Sequence, residues 1–315
     1  MPASDSDAAI DDGRASARTR RLRAIGLMCL TMLLFAVLDT TGKYLVTAGE
    51  LPVIQVVWVR LASQFAFTVA LLAPLGLPRM IATNKLGGQL LRSTLMLGVS
   101  VLNFVALKYL QLDQNTTIFY LAPLVVAALA GPLLGEWIDW RRTVAISIGF
   151  LGVLVVIQPG FGGFQWAYLV ALSATLAYAL YNISTRYISA FDSPEVTFFY
   201  STLVGIAATA PFAFAEWQSP QDLATWAWLI SMGVSGGIAH WLLILAHRDA
   251  PAPILAPFVY TGLLWMSLGG YLVFGDVPAI ATLAGCAIVI ASGLYLISRE
   301  RHRRVAPEKR SPLSG

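Results

Sequence analysis

The chain has 315 residues, of which 57% are hydrophobic and 12% are charged, and its mean hydropathy is +0.70. A soluble protein carries roughly 25% charged residues, and a disordered chain has far fewer apolar ones, so both classes are excluded. The formal net charge is +4 at pH 7, but the basic excess lies in the two ends, 1–23 and 299–315. That distribution does not indicate a nucleic-acid partner, and none is expected. The sequence predicts a polytopic membrane protein of the all-α class.

Ten apolar stretches are long enough to cross a bilayer, which takes about 20 residues each. Their connections alternate between segments that contain Lys and Arg and segments that contain mainly Glu and Asp. Because cytoplasmic loops are enriched in Lys and Arg, both termini are expected in the cytoplasm. The predicted spans are 24–46, 51–74, 88–110, 114–134, 140–158, 164–189, 193–215, 224–247, 251–273 and 279–298.

The first two spans contain charged residues. Asp39 is the only carboxylate well inside a predicted span, Lys43 follows four residues later on the same helix face, and Arg60 lies in the second span. Ionisable groups inside a membrane are costly and therefore mark functional candidates. This charge cluster has two interpretations: an ion pair that locks the first two helices together, or a positive site for a carboxylate-bearing substrate.

Later spans contain polar and aromatic residues at depth. Tyr178, Tyr181 and Asn182 fall on one face of the sixth span, at positions i, i+3 and i+4. Small-molecule sites are mostly apolar with a few placed polar groups. The alternatives are helix–helix hydrogen bonds for the polar residues and lipid-interface positions for the aromatic ones. The candidate substrate-binding residues are Asn182, Asn103, His240, Tyr178, Tyr181, Trp241, Tyr260, Trp265 and Gln64.

An internal repeat relates the two halves of the chain. Residues 35–44, FAVLDTTGKY, match residues 178–187, YALYNISTRY, and Gly135-Glu136 matches Gly275-Asp276. Each half has five spans, and an odd number places the second copy in the opposite orientation, as in many transporters. The predicted organisation is an N-terminal tail (1–23), two inverted five-helix repeats (24–158 and 164–298) and a C-terminal tail (299–315).

Stretches 116–160 and 252–296 resemble helices four and five, and nine and ten, of the EamA branch of the drug/metabolite transporter superfamily. The markers are Pro123, Gly135-Glu136, Gly149 and Gly152, whereas Asp276 stands where the family usually has Glu. The resemblance implies a ten-helix carrier of small metabolites in the bacterial inner membrane.

The predicted function is alternating-access transport, with export of large neutral or aromatic amino acids as the leading expectation. The alternatives are proton-coupled export of lipophilic cations or drugs, and import of another small metabolite. The chain lacks the HExxH zinc motif and the Walker sequence, so no enzyme activity, metal or cofactor is expected. The expected partners are a small-molecule substrate and the lipid bilayer, and the chain is a monomer or homodimer. The sequence leaves the direction of transport and its energy coupling open.

Overall fold

The computed structural model describes residues 5–72, 81–134, 140–158, 165–250 and 252–305, and these ranges contain α-helices and no strand. Gly135, Glu136 and Pro251 lie outside the described residues. The helices are α1 (Asp5–Thr47), α2 (Val53–Leu72), α3 (Leu86–Tyr109), α4 (Leu112–Phe119), α5 (Ala122–Leu134), α6 (Trp140–Ile157), α7 (Ala167–Ile188), α8 (Pro194–Ala215), α9 (Leu223–Asp249), α10 (Ala252–Val259), α11 (Thr261–Phe274) and α12 (Ile280–Val305).

Eight segments in the described ranges are long and apolar enough to cross a bilayer, and each coincides with one of the ten predicted spans. One of them, Ile254–Phe274, joins α10 and α11. The other two predicted spans are shorter than expected. The fourth is divided into α4 and α5, and the apolar part of the fifth is Thr143–Ile157. The prediction of an all-α polytopic membrane protein is confirmed.

The break between α4 and α5 follows from local chemistry. Tyr120 and Leu121 form the turn between the two helices. Pro123 is the second residue of α5. The N–H groups in the first turn of a helix have no partner within the helix, so a proline, which has no N–H, removes no helical hydrogen bond there. The second half breaks at a similar place, because α10, with Pro257 inside it, ends at Val259 and α11 begins after Tyr260. Both halves therefore contain one discontinuous span.

The helices pack in pairs that are exchanged between the two halves. In the sequence repeat α1 corresponds to α7, α2 to α8, α3 to α9 and α6 to α12. In the structure α1 packs on α9, and their equivalents α7 and α3 also pack on each other. Likewise α2 packs on α9, and their equivalents α8 and α3 pack on each other. The remaining pairs, α2 with α8 and α6 with α12, each join equivalent helices. The packing of the described helices in one half therefore has a counterpart in the other.

Two of these packings bring helix backbones together at glycine. A Cβ on Gly152 in α6 would lie 2.9 Å from the Gly285 carbonyl oxygen in α12. A Cβ on Gly233 in α9 would lie 2.5 Å from the Arg60 carbonyl oxygen in α2. Small residues permit this close approach between membrane helices. The second contact positions α9 beside the polar residues of α2.

The outer surface of the bundle is apolar. Large hydrophobic side chains that are more than half exposed include Phe212, Leu264 and Leu272. In water such a surface would promote aggregation, whereas lipid tails accommodate it. The polar residues described below lie inside this apolar surface.

Candidate functional site

A chain of hydrogen bonds links α1, α3 and α4 inside the bundle. The Asn103 amide donates to an Asp39 carboxylate oxygen at 3.2 Å, and the Asn103 carbonyl accepts from Asn115 at 2.8 Å. Asn115 is buried, while Asp39 and Asn103 are half-buried. The network therefore holds two of the sequence-predicted residues together and leaves part of each accessible.

Arg60 and Gln64 lie one turn apart on α2 and are both buried. Arg60 donates through Nη1 to Ser100 Oγ at 2.8 Å, and its guanidinium lies 5.8 Å from the centroid of the Phe104 ring. Within the described ranges, Arg60 Nε and Gln64 Oε1 have no hydrogen-bond partner. Buried polar atoms without partners are rare and costly, so this part of α2 has unused hydrogen-bonding capacity.

Lys43 forms its ion pair with a carboxylate from the other half of the chain. Its Nζ lies 3.1 Å from Asp276 Oδ2, donates to the Leu110 carbonyl at 3.0 Å and lies 4.7 Å from the centroid of the Phe274 ring. The pair thus joins α1 to the end of α11 rather than to α2. Among the three residues of the predicted charge cluster, Lys43 is consequently neutralised by a residue outside it.

Arg92 on α3 is a buried arginine that is not among the sequence-predicted site residues. Nε donates to Thr185 Oγ1 at 2.7 Å, Nη1 donates to the Thr197 carbonyl and to Ser201 Oγ, and Nη2 donates to the Tyr181 hydroxyl. These acceptors lie on α7 and α8. One guanidinium therefore ties three helices together through neutral oxygen atoms.

An aromatic column, defined as Phe119, Tyr178 and Tyr181, lies beside this guanidinium. Phe119 and Tyr178 have ring centroids 4.7 Å apart, and Tyr178 stacks on Tyr181 at 6.1 Å with planes 18° apart. The Arg92 guanidinium lies 4.5 Å from the Tyr181 centroid, a cation–π distance. All three rings are half-buried, so the column presents aromatic faces inside the bundle next to a cation.

His240 on α9 lies among aromatic rings. Its ring centroid is 5.1 Å from that of Phe35 on α1 and 6.4 Å from that of Phe198 on α8. Its side chain therefore packs between rings of two other helices.

The remaining predicted residues have mainly packing contacts. The Asn182 amide donates to the Tyr178 carbonyl of its own helix at 2.7 Å. Trp241 packs against the cluster around Phe198, and Trp265 packs against the apolar cluster that contains Leu38. The Trp265 indole N–H has no partner in the described part of the chain. Tyr260 is buried against Tyr120. These side chains shape the interior, and their contacts do not assign them to a substrate.

The described residues offer no metal centre, because no three His, Cys, Asp or Glu side chains in them are close enough to hold an ion. One sequence, Gly233 to Gly237, fits the GxSxG pattern of hydrolases. It lies inside α9, where Ser235 donates to the Met232 carbonyl. A hydrolase serine instead occupies a turn between a strand and a helix, so this match carries no catalytic meaning.

The sequence profile of the EamA-like transporter family matches residues 22–158 and 165–299, one match in each half. The chain is 28% identical over 280 residues to the riboflavin transporter of Vibrio cholerae, and the alignment covers 87% of this chain and 94% of that protein. It is 26% identical over 283 residues to the S-adenosylmethionine uptake transporter of Rickettsia conorii, with 89% and 94% covered. It is 22% identical over 273 residues to a pseudopaline exporter of Pseudomonas aeruginosa, with 86% and 94% covered.

The same fold occurs in a solved crystal structure that aligns with a TM-score of 0.59. The alignment covers 93% of this chain and 99% of the other at 18% identity. At that identity the likeness concerns the fold alone.

Proposed function

We propose that this chain, which belongs to the EamA-like transporter family, carries flat nitrogen-heterocyclic metabolites through the bundle by alternating access. Family membership and the apolar spans make it a transporter and not an enzyme, and a multi-pass protein of the bacterial inner membrane. The proposal concerns its cargo, its site and its topology.

The observation that carries the proposed cargo is the aromatic column beside Arg92. Stacking of a base on an aromatic side chain contributes about 1–3 kcal/mol in nucleic-acid-binding proteins, and it tolerates different ring systems. The rings of Tyr178 and Tyr181 are half-buried, and the Arg92 guanidinium over the Tyr181 ring places a cation beside them. A flat heterocycle with ring carbonyls or ring nitrogens suits both features.

The names of the relatives agree with this cargo class. Riboflavin and S-adenosylmethionine each contain a flat nitrogen heterocycle attached to a polar chain, and transporters named for them align along most of this chain. The expected amino acid cargo stays a prediction, since an aromatic amino acid would use the same column. Lipophilic cations are disfavoured, because two buried guanidiniums, Arg60 and Arg92, would repel them.

We also propose that the rest of the site comprises the Asp39–Asn103–Asn115 chain, the unpartnered atoms of Arg60 and Gln64, and His240. The support is their burial inside the bundle and the absence of partners for Arg60 Nε and Gln64 Oε1 within the described ranges. Carriers of this kind place their substrate near the middle of the membrane, where discontinuous helices meet. The breaks at Tyr120 and Tyr260 provide such a meeting point.

For the topology, we propose two inverted repeats with both termini in the cytoplasm. The exchange of helix pairs between the halves and the discontinuous span in each half support the repeat. The distribution of Lys and Arg supports the orientation. Inverted repeats allow one bundle to open alternately to either side of the membrane.

Flavin fluorescence tests the site directly. Riboflavin added to the purified protein in detergent is expected to be quenched saturably, because stacked tyrosine rings quench a flavin. Tyr178→Leu is expected to weaken the apparent affinity about tenfold, which corresponds to roughly 1.4 kcal/mol. Tyr187→Leu provides the matched control, since Tyr187 lies on the same helix with 53% of its surface exposed.

Two outcomes would contradict the proposed site. One is an equal loss in both variants, which would make the effect of Tyr178 non-specific. The other is the absence of saturable quenching together with no competition by other heterocycles.

A further inference from the structure

The buried cations in the described part of the bundle differ in whether a carboxylate lies near them. Lys43 is paired with Asp276, and the charges of Arg60 and Asp39 act on one another. Arg92 is buried, with 4% of its surface exposed. In the described ranges it forms no ion pair, and none of its hydrogen-bond acceptors is a carboxylate. A buried charge without a counter-ion is strongly unfavourable in a protein interior and in a membrane. Arg92 is therefore a buried cation that neutral oxygen atoms alone stabilise in the described ranges.

A buried carboxylate in the same part of the bundle is engaged elsewhere. Asp192, in the connection between α7 and α8, accepts hydrogen bonds from Thr83, Asn84 and Gln89. Gln89 also donates to Thr197 Oγ1, while the Thr197 carbonyl accepts from Arg92. Neutral groups thus separate the carboxylate from the guanidinium.

Arg92 adjoins the residues that we propose bind the cargo. Its guanidinium lies 4.5 Å from the centroid of Tyr181, the end of the aromatic column. Its charge also acts on His240, together with that of Arg60. A ring stacked on the column would therefore carry its substituents into a positive field. Arginine is well suited to carboxylate and phosphate, because its planar fork of donors matches both groups.

We propose that Arg92 is the site for a single negatively charged group, a carboxylate or a phosphate, on the transported heterocycle. This inference rests on the proposed function and adds, within its substrate class, a preference for anionic compounds. Binding of the anion supplies the counter-ion that Arg92 lacks among its contacts in the described ranges. Heterocycles without such a group, including riboflavin, are expected to bind more weakly.

Two matched pairs of compounds test the inference on the purified wild-type protein. Nicotinate and nicotinamide share a ring and differ by a carboxylate, and flavin mononucleotide and riboflavin differ by a phosphate. Calorimetric titration is expected to show at least tenfold tighter binding of the anionic member in one pair. The pair that shows the preference identifies the group as carboxylate or phosphate.

Variants assign the preference to Arg92. Arg92→Gln is expected to bring the ratio of the two affinities close to one, and Arg92→Lys is expected to keep part of the preference. Arg141→Gln, at an exposed arginine near the start of α6, is expected to keep the full ratio. Thermal denaturation of each variant checks that it is folded, and if Arg92→Gln does not fold, the wild-type ratio decides.

The possible failures are distinguishable. Equal binding within both pairs, or an unchanged ratio in folded Arg92→Gln, would overturn the anion site and leave the heterocycle proposal standing. Binding of none of the four compounds would overturn the proposed cargo and the anion site together.

Discussion

The rings of Tyr120 and Tyr260 meet edge to face, with centroids 5.1 Å apart and planes at 87°. Each tyrosine lies at the break of a discontinuous span, and the repeat that matches Gly135-Glu136 with Gly275-Asp276 also matches these two residues. The Tyr120 hydroxyl donates to the Val259 carbonyl, next to the second break, at 3.0 Å. The pair therefore joins the two halves where both are irregular.

Two substitutions of Tyr120 are expected to destabilise the bundle to different extents. Tyr120→Phe removes the hydrogen bond and is expected to cost about 1 kcal/mol. Tyr120→Ala also empties a buried space and is expected to cost about 3–5 kcal/mol, as for other large aromatic residues. Thermal denaturation in detergent measures both, with Tyr271→Ala as the control because Tyr271 is 59% exposed. Tyr120→Ala melting at the wild-type temperature would contradict this role.

The Lys43–Asp276 pair is expected to respond asymmetrically to removal of its partners. Asp276→Asn leaves the Lys43 ammonium buried without a carboxylate and is expected to cost about 3–5 kcal/mol. Lys43→Met is expected to cost less, because the Asp276 side chain is 23% exposed and can be hydrated. A double-mutant cycle, measured by thermal denaturation, gives the coupling between the two. A larger loss of stability from Lys43→Met than from Asp276→Asn would contradict the burial assigned to these two side chains.

The hydrogen bonds around Asp192 predict a dependence of stability on pH. Burial tends to raise the pKa of Asp192, but the hydrogen bonds from Thr83, Asn84 and Gln89 outweigh it and hold the pKa below the ordinary 3.8. A carboxyl group whose pKa is lower in the folded state stabilises the protein at pH values above its pKa in the unfolded state. This contribution disappears as the pH falls through the pKa of the folded state. The stability difference between wild type and Asp192→Asn is therefore expected to be constant from pH 7 to about 5 and to shrink below about pH 4. Melting temperatures across that range measure it, and a difference that grows on acidification would contradict the assignment.

The sequence predicted the helices better than their partners. Apolar runs of about 20 residues locate a span with little dependence on the rest of the chain, and the described helices fall on the predicted spans. The partner of Lys43 was not predictable, because Asp276 lies 233 residues away and only the packing of α11 against α1 brings the two together. The four-residue spacing of Asp39 and Lys43 indicated a shared face, and on that face Asp39 reaches Asn103 while Lys43 reaches the end of α3.

Arg92 shows why part of the candidate site was missed. It lies in the second turn of α3, close to Lys85, so it resembled one of the basic loop residues that set topology. Its burial depends on hydroxyls of α7 and α8 that no local pattern connects to it. The available signal was its place inside the predicted span 88–110, where a charge is costly.

Cysteine labelling tests the proposed topology. In a background with Cys29 and Cys286 replaced, Ala48→Cys and Ser219→Cys are expected to react with an impermeant maleimide in intact cells. Lys85→Cys is expected to react only after permeabilisation. All three positions are exposed in the structure, so access to the reagent reports the side of the membrane. Labelling of position 85 in intact cells would contradict the orientation.

Counterflow in sealed vesicles tests the central claim, that the chain is a carrier of flat nitrogen heterocycles. Purified protein is reconstituted in liposomes loaded with an unlabelled heterocycle, either riboflavin or flavin mononucleotide, and the labelled compound is added outside. A carrier is expected to produce a transient accumulation of label inside. Protein-free liposomes are expected to show no accumulation, and the same is expected of proteoliposomes loaded with phenylalanine in place of the heterocycle. The absence of accumulation with either heterocycle, in vesicles that do show it with phenylalanine, would contradict the claim and restore an aromatic amino acid as the cargo.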